Sequence, residues 1–278
     1  MASENPSPTE SPDGDALSGV TPEEMVAMRR MHAADIADRL RSLPVLQLRR
    51  VLRELPDELT AEVIVELPTA QQLALFEGMR VHRLSGIVSE MFSDDAADIL
   101  GQLSSARLQQ VMAALDPQEA REMGDLLRFP EDTAGGRMQT EFVAVPEEAT
   151  INEAIESLRA SEDQTSQGTF YVYAVDREQR LKGVLRIRDL LFRRPEMRIR
   201  EVMVPEVRAV SVHADQEELG RLFRDYGFTA IPVVDDFQRL RGVVTADDVL
   251  QVVEEAVSYT HLRAHETKAN LVCRLLLE

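Results

Sequence analysis

The stretch MFSDDAADILGQL, residues 91–103, sets Asp94, Asp95 and Asp98 inside a short amphipathic helical pattern. Like charges four apart on a helix repel, so carboxylates at this spacing need a partner. Three kinds of chemistry would use them: capping and solvating the helix start, holding a metal ion, or binding a metal–pyrophosphate substrate. Capping suits Asp94 or Asp95, because a carboxylate near a helix N-terminus stabilises it by roughly 0.3–1 kcal/mol. It leaves Asp98, a turn further in, unexplained. The metal reading uses all three. Asp94 and Asp98 lie at i, i+4 on one face, and Mg2+ is a hard cation that takes oxygen ligands, keeps several waters and often uses only one or two carboxylates.

The bulk charge agrees with a cation. Acids outnumber bases 49 to 31 over 278 residues, a net charge of -18. Such a surface argues against a nucleic-acid partner, whose phosphates need a basic face, and suits either plain solubility, the commoner reason for acidity, or ions that relieve self-repulsion. The single cysteine, Cys273, allows no internal disulfide and no Cys-based zinc site. His32, His82, His213, His261 and His265 show no HExxH spacing. No run approaches the roughly 18–20 apolar residues needed to cross a bilayer. The N-terminus lacks a basic, apolar leader, and the composition fits a reducing cytoplasm.

The elements that would position the acids follow from two repeats. Residues 1–21 are rich in Ser, Pro, Glu and Asp and are expected to be a disordered tail. Thr21 then reads as a helix cap, with Pro22 at the first helical position and Glu24 closing a capping box. Over residues 22–134, Leu43, Leu55, Leu67, Met79, Met91, Leu103, Leu115 and Leu127 recur twelve apart, several followed by a breaker or cap. Twelve residues hold about two turns of helix plus a connection. Helices that short must stack to survive, so the region is expected to be an all-α superhelix of roughly eight to ten short helices.

After FPEDTAGGRM (129–138) the texture becomes β-rich. YVYAVD (171–176) lies over AIPVVD (230–235), and RLKGVLRIRDLL (180–191) over RLRGVVTADDVL (239–250), at a constant offset of 59. This is a tandem duplication of a small α/β unit, with boundaries expected at 135–198 and 199–257. Residues 258–278, SYTHLRAHETKANLVCRLLLE, keep only Glu266 and Glu278 as acids and hold the one cysteine and two of the histidines. They are read as a non-native tail, similar to sequencing-adapter read-through, and set aside.

The two copies resemble a pair of CBS domains. Such pairs are regulatory modules that bind adenine nucleotides or ions in their clefts. The supporting motif is Gly-x-x-(Ser/Thr)-x-x-Asp: Gly242, Thr245 and Asp248 in the second copy, Gly183 and Asp189 in the first, where Arg186 replaces the hydroxyl. In a nucleotide-binding module the hydroxyl meets a phosphate and the Asp accepts from ribose hydroxyls; otherwise Thr245 and Asp248 simply cap the next helix. Arg186 disfavours binding in the first copy. A short-helix region running through SDDAADIL into PEDTAGG and MQTEFVAV, then two CBS domains, resembles the cytosolic half of MgtE-type magnesium transporters over about residues 22–257. The fold class is therefore multi-domain, an all-α superhelix followed by an α/β tandem CBS pair.

That resemblance implies how the acids act. In the family the helical domain closes on the CBS pair when Mg2+ is plentiful, locking a transmembrane pore shut. The facing acids here would be Asp247, Asp248, Glu254 and Glu255. Glu62 is a further candidate, seven residues after Leu55 as Asp98 is seven after Met91. Gln251 stands where the family usually has an acid, and Gly227 where an acid is common, so fewer ions or a higher Mg2+ requirement is expected. DDAAD is also the letter pattern of prenyl-diphosphate enzymes, but those need long helices around a deep pocket and aromatics to stabilise a carbocation. At 5% aromatics and with no second Asp-rich motif, no enzyme is expected. The expectation is a Mg2+-sensing regulatory region at the cytoplasmic face of the plasma membrane. Its ligands are Mg2+ and an adenine nucleotide such as ATP. Its partners are a second copy through the CBS domains and a pore domain beyond about residue 257. The alternative is a free-standing adenine-nucleotide sensor acting through its CBS pair.

Overall fold

A computed structural model describes residues 20–161 and 171–249. The expected N-terminal tail (nearly all of it), the 258–278 tail, Glu254, Glu255 and Gln251 lie outside the described residues. The described residues form two compact units. One takes the chain up to Met91 together with Ile99–Asp116, and the other takes Phe92–Asp98 together with the chain from Pro117 onwards.

Nine short helices open the described chain: α1 (Pro22–Met28), α2 (Ala33–Leu40), α3 (Val45–Arg53), α4 (Asp57–Val65), α5 (Thr69–Gly78), α6 (Val81–Ser89), α7 (Ser93–Gly101), α8 (Ser105–Met112) and α9 (Pro117–Leu126). The first begins as its sequence requires, with Thr21 and Glu24 in a reciprocal capping box and Pro22 in the first turn. The twelve-residue repeat marks the closing turns. Leu55 donates its amide to Leu52 at 3.3 Å, Leu67 to Ile64 at 3.1 Å, Met91 to Val88 at 3.2 Å and Leu103 to Leu100 at 3.2 Å. The same four side chains are buried. Pro44, Pro56 and Pro68 then sit at the N-caps of α3, α4 and α5, where a missing N–H costs nothing. Within the first unit, helices pack on the next but one: α2 on α4, α4 on α6, α6 on α8 and α3 on α5. Arginines close the carbonyl ends left open by such short helices. Buried Arg107 donates to the Phe76 carbonyl at 2.9 and 2.8 Å, and Arg83 to that of Leu52 at 2.7 Å.

The duplicated half begins with β1 (Val143–Pro146), α10 (Ile151–Ala160), β2 (Tyr171–Val175), β3 (Leu181–Arg186) and α11 (Ile187–Leu190). The second copy follows a short α12 (Ile199–Val202) and β4 (Val204–Pro205), with β5 (Val210–Ser211), α13 (Gln216–Tyr226), β6 (Ala230–Val234) and β7 (Leu240–Thr245). The sheets are ordered β1-β2-β3-β4 and β5-β6-β7, with β1–β2 and β5–β6 parallel and the other pairs antiparallel. The duplication holds down to register. Tyr171 pairs with Arg186 as Ala230 pairs with Thr245, and each hairpin is irregular at the same place, between Ala174 and Val175 and between Val233 and Val234.

The hairpin turns join the copies. Asp176 Oδ1 accepts from the amides of Glu178 and Arg180, both at 2.9 Å, and Asp235 Oδ1 does the same for Phe237 and Arg239. Gln179 and Gln238 take positive φ of 64° and 60° in these turns. Each then presents its carbonyl to the other copy: Leu240 donates to Gln179 and Leu181 to Gln238, both at 3.0 Å. Tyr173, Val175, Leu240 and Val243 bury a core between the two sheets, beside the first copy's own core of Val143, Val145, Ile151, Val172 and Leu185.

Candidate metal centre

The start of α7 is held by an extended segment, residues 137–141, that crosses β7. Gln139 and Val243 exchange backbone hydrogen bonds at 2.7 and 2.9 Å. Gly242 permits this approach: a Cβ there would lie 2.6 Å from the Gln139 carbonyl oxygen. Gly183 plays the equivalent part in the first copy, where a Cβ would meet Met203 and the Val204 carbonyl. The motif glycines thus make room for a neighbouring strand in both copies.

Alternate residues of the segment face α7. Glu141 Oε2 accepts from the Ser93 amide at 3.3 Å and hydroxyl at 2.9 Å, which places a carboxylate at the positive end of the helix. The Thr140 amide donates to the Ser93 hydroxyl at 2.8 Å. Gln139 Nε2 donates to Asp94 Oδ2 at 3.2 Å, and Arg137 Nη1 pairs with Asp98 Oδ2 at 3.0 Å. These partners were not singled out in the sequence. The available signal is the every-second-residue polarity of Arg137, Gln139 and Glu141, a strand period just ahead of β1.

Asp94 is buried, 7% exposed, and among the described residues its Oδ1 has no hydrogen-bond partner. Burial first, then the charges of Asp248 and Asp95, push its carboxyl well above the usual carboxylate range. The Gln139 amide and the Asp95 backbone oppose this only in part. Asp248 comes from the helical turn at 246–249 that follows β7. Its pKa is also raised, chiefly by burial and further by Asp247, against the lowering effects of Thr245 and Arg137. The Thr245 hydroxyl lies 2.6 Å from both Asp247 Oδ1 and Asp248 Oδ2, and its amide donates to Asp248 Oδ2 at 3.0 Å. One hydroxyl proton serves two carboxylates.

The candidate residues therefore divide. Asp94, Asp95, Asp98, Asp247 and Asp248 all belong to the second unit, with Asp95 and Asp98 half-buried and Asp247 exposed. Glu62 is half-buried on α4 in the first unit. Asp189 is half-buried on α11, 3.6 Å from Arg188, and Arg186 leaves that helix start without a side-chain cap. Gly227, where an acid is common in the family, ends α13 at φ 62°, a left-handed conformation that favours glycine.

Among the described residues no three His, Cys, Asp or Glu side chains form a ready-made metal cage. The donor set nevertheless fits Mg2+, an ion that keeps several waters and binds through one or two carboxylates. A buried carboxylate oxygen with nothing to bond is the feature such an ion would satisfy. In a low-dielectric setting a cation is worth far more to clustered carboxylates than it is in water.

Comparison with known proteins gives two family matches: the MgtE intracellular N domain over residues 31–132, and the CBS domain over residues 134–196 and 199–255. The magnesium transporter MgtE of Thermus thermophilus is 41% identical over 215 residues, 76% of this chain and 48% of that protein. MgtE of Bacillus subtilis is 29% identical over 219 residues, 79% of this chain and 48% of that protein. The chain thus spans about half the length of the curated relatives it matches. A crystal structure of the cytosolic domain of the Mg2+ channel MgtE in complex with ATP superposes with a TM-score of 0.78 at 38% identity, covering 82% of this chain and 93% of that one. The soluble part of a magnesium transporter also superposes at 0.78, with 28% identity over 84% and 92%.

Proposed function

The chain belongs to the MgtE family of magnesium transporters, matching its cytosolic region, and from that premise we propose that it is the Mg2+-sensing regulatory part of such a transporter. The observation that carries this reading is the buried, unpartnered Asp94 Oδ1 beside Asp248 and Asp95. Protein groups supply hydrogen bonds to the neighbouring Ser93 and Asp98 but leave this oxygen bare. Asp94, with Asp247 and Asp248, would hold Mg2+, which supplies the positive charge the cluster lacks. Asp95 and Asp98 add to the local field. Glu62, Glu254 and Glu255 remain proposed ligands on the family likeness.

The consequence is a population shift. Without Mg2+, repulsion among these carboxylates disfavours the arrangement that brings them together. With Mg2+, that arrangement is favoured because the ion binds it better. In a full-length protein this would draw the helical region onto the CBS pair and shut the attached pore, a negative feedback on Mg2+ entry. Two copies pairing through their CBS domains belong to the same reading, and the exposed Leu191 and Phe192 are apolar side chains such a contact could cover. Among the described residues no helix is long and apolar enough to cross a membrane. X-ray scattering of the whole chain tests the reading: millimolar Mg2+ should reduce the radius of gyration. No change, or an equal change with NaCl at matched ionic strength, overturns it.

Adenine nucleotide is a second ligand, favoured by the ATP complex of the 38% identical relative. Thr245 and Asp248, the intact motif, are already bonded to each other and to the acidic cluster. Asp248 Oδ2 is taken up by the Thr245 amide and hydroxyl, which leaves less of this carboxylate for a ribose. Asp189, half-buried and 3.6 Å from the exposed Arg188, is the carboxylate left for a ribose, with a guanidinium near it for phosphate. A free-standing nucleotide sensor would bind ATP without any Mg2+-linked compaction.

A further inference from the structure

The two carboxylates on the same face of α7 are met in different ways. Asp98 is paired with Arg137 at 3.0 Å, and Arg137 is held from behind by its Nε donating to the Glu131 carbonyl at 2.9 Å. Its side chain is only 20% exposed, so the guanidinium sits in the fold rather than waving over it. Among the described residues nothing comparable acts on Asp94, where the neighbouring charges are those of Asp248 and Asp95 and one oxygen is bare. A guanidinium is charged at every physiological pH and cannot leave.

We propose that Arg137 is a tethered cation. It occupies the Asp98 end of the acidic face, confines exchangeable Mg2+ to the Asp94 end, and so sets the concentration at which Mg2+ acts. The proposal rests on the Mg2+ reading above and goes beyond it. Without Arg137 the Asp98 end of the acidic face would lose the guanidinium that stands 3.0 Å from its carboxylate. Mg2+ would then bind more tightly and in greater number. With Arg137 present, part of the electrostatic work is done before any ion arrives, so the Mg2+ response is shallower and begins at higher concentration. The arginine thus acts as a positioning residue through Asp98, not as a ligand.

The test uses the whole chain. Hydrogen exchange of the 92–98 amides is followed against MgCl2, and calorimetry gives the number of ions bound. R137M should lower the Mg2+ midpoint by about threefold to tenfold, the size of one partly screened charge, and should add a bound ion. R137Q, whose amide can still bond the Glu131 carbonyl, should behave the same and serves if R137M does not fold. R137K keeps the charge and should stay within about twofold of the parent. An unchanged midpoint and ion count in the neutral variants overturns the proposal. So does R137K behaving like R137M, because the effect would then lie in guanidinium geometry. If the parent chain shows no Mg2+-dependent protection at all, the Mg2+ reading itself fails. If the parent responds, D94N does not, and R137M matches the parent, only the role of Arg137 fails.

Discussion

Asp94 and Asp98 stand one helical turn apart on α7, and among the described residues a cation meets Asp98 and not Asp94. Arg137 meets Asp98 at 3.0 Å, while Asp94 Oδ1 is buried without a partner. An uncompensated buried carboxylate is costly, and that cost sits where an exchangeable ion would relieve it.

Removing the charge should therefore do part of what the ion does. D94N is expected to raise the Mg2+-free melting temperature by about 2–4 °C, the effect of roughly 1 kcal/mol in a chain of this size. The same variant should lose the extra stability that Mg2+ gives the parent, about 1.4 kcal/mol at ten times the dissociation constant. Differential scanning fluorimetry with and without MgCl2 checks both. A D94N chain that is less stable than the parent and still gains from Mg2+ would remove Asp94 from the site.

Gly242 is where residues 137–141 cross β7, because a Cβ there would lie 2.6 Å from the Gln139 carbonyl oxygen. G242A should cost about 1–3 kcal/mol, as overpacking does, and should weaken the Mg2+ response by displacing residues 137–141. The comparison is G183A, where the nearest atoms belong to the flexible Met203 side chain. It should be milder and leave the Mg2+ midpoint alone. Chemical denaturation and a Mg2+ titration of the two variants distinguish them.

Nucleotide and metal should use different carboxylates. D189N is expected to weaken ATP binding at least tenfold with Mg2+-driven compaction intact, and D248N to do the reverse. Calorimetry with ATP and scattering with MgCl2 report the two separately. Loss of ATP binding in D248N alone would move the nucleotide to the second copy.

The turn at Asp176 couples the copies, and its titration has a definite sign. Hydrogen bonds from the Arg180 amide, then from Lys182 and the Glu178 amide, lower the Asp176 pKa. A lowered carboxylate pKa contributes stability that is present above the ordinary carboxylate range and is lost as pH falls through the lowered value. D176A should thus be less stable than the parent at pH 7. The gap should close in strongly acidic buffer, which melting curves across pH will show.

The parts of the fold that repeat were plain in the residues. Leucines twelve apart gave α2 to α9 their closing turns, and the offset of 59 carried through to the pairing of Tyr171 with Arg186 and Ala230 with Thr245. The acids on α7 and after β7 were visible because carboxylates at close spacing are conspicuous in any sequence. What could not be read was the difference between Asp94 and Asp98, since both occupy the same face and only the path of residues 137–141 across β7 distinguishes them. Gly242 carried the same ambiguity: glycine in a phosphate-binding motif and glycine making way for a crossing backbone look alike until the backbone is seen. At Gly227 the chain lacks the acid common in the family, and its positive φ at the end of α13 suits glycine, a backbone feature no residue type announces by itself.

The most direct measurement is amide hydrogen exchange over residues 92–98 in the parent chain, read across a MgCl2 series with NaCl controls at equal ionic strength. Mg2+ should slow exchange in this segment at concentrations where NaCl does nothing, and D94N should abolish the difference. Exchange that is indifferent to Mg2+, or slowed equally by both salts, would contradict the claim that a divalent ion completes this cluster.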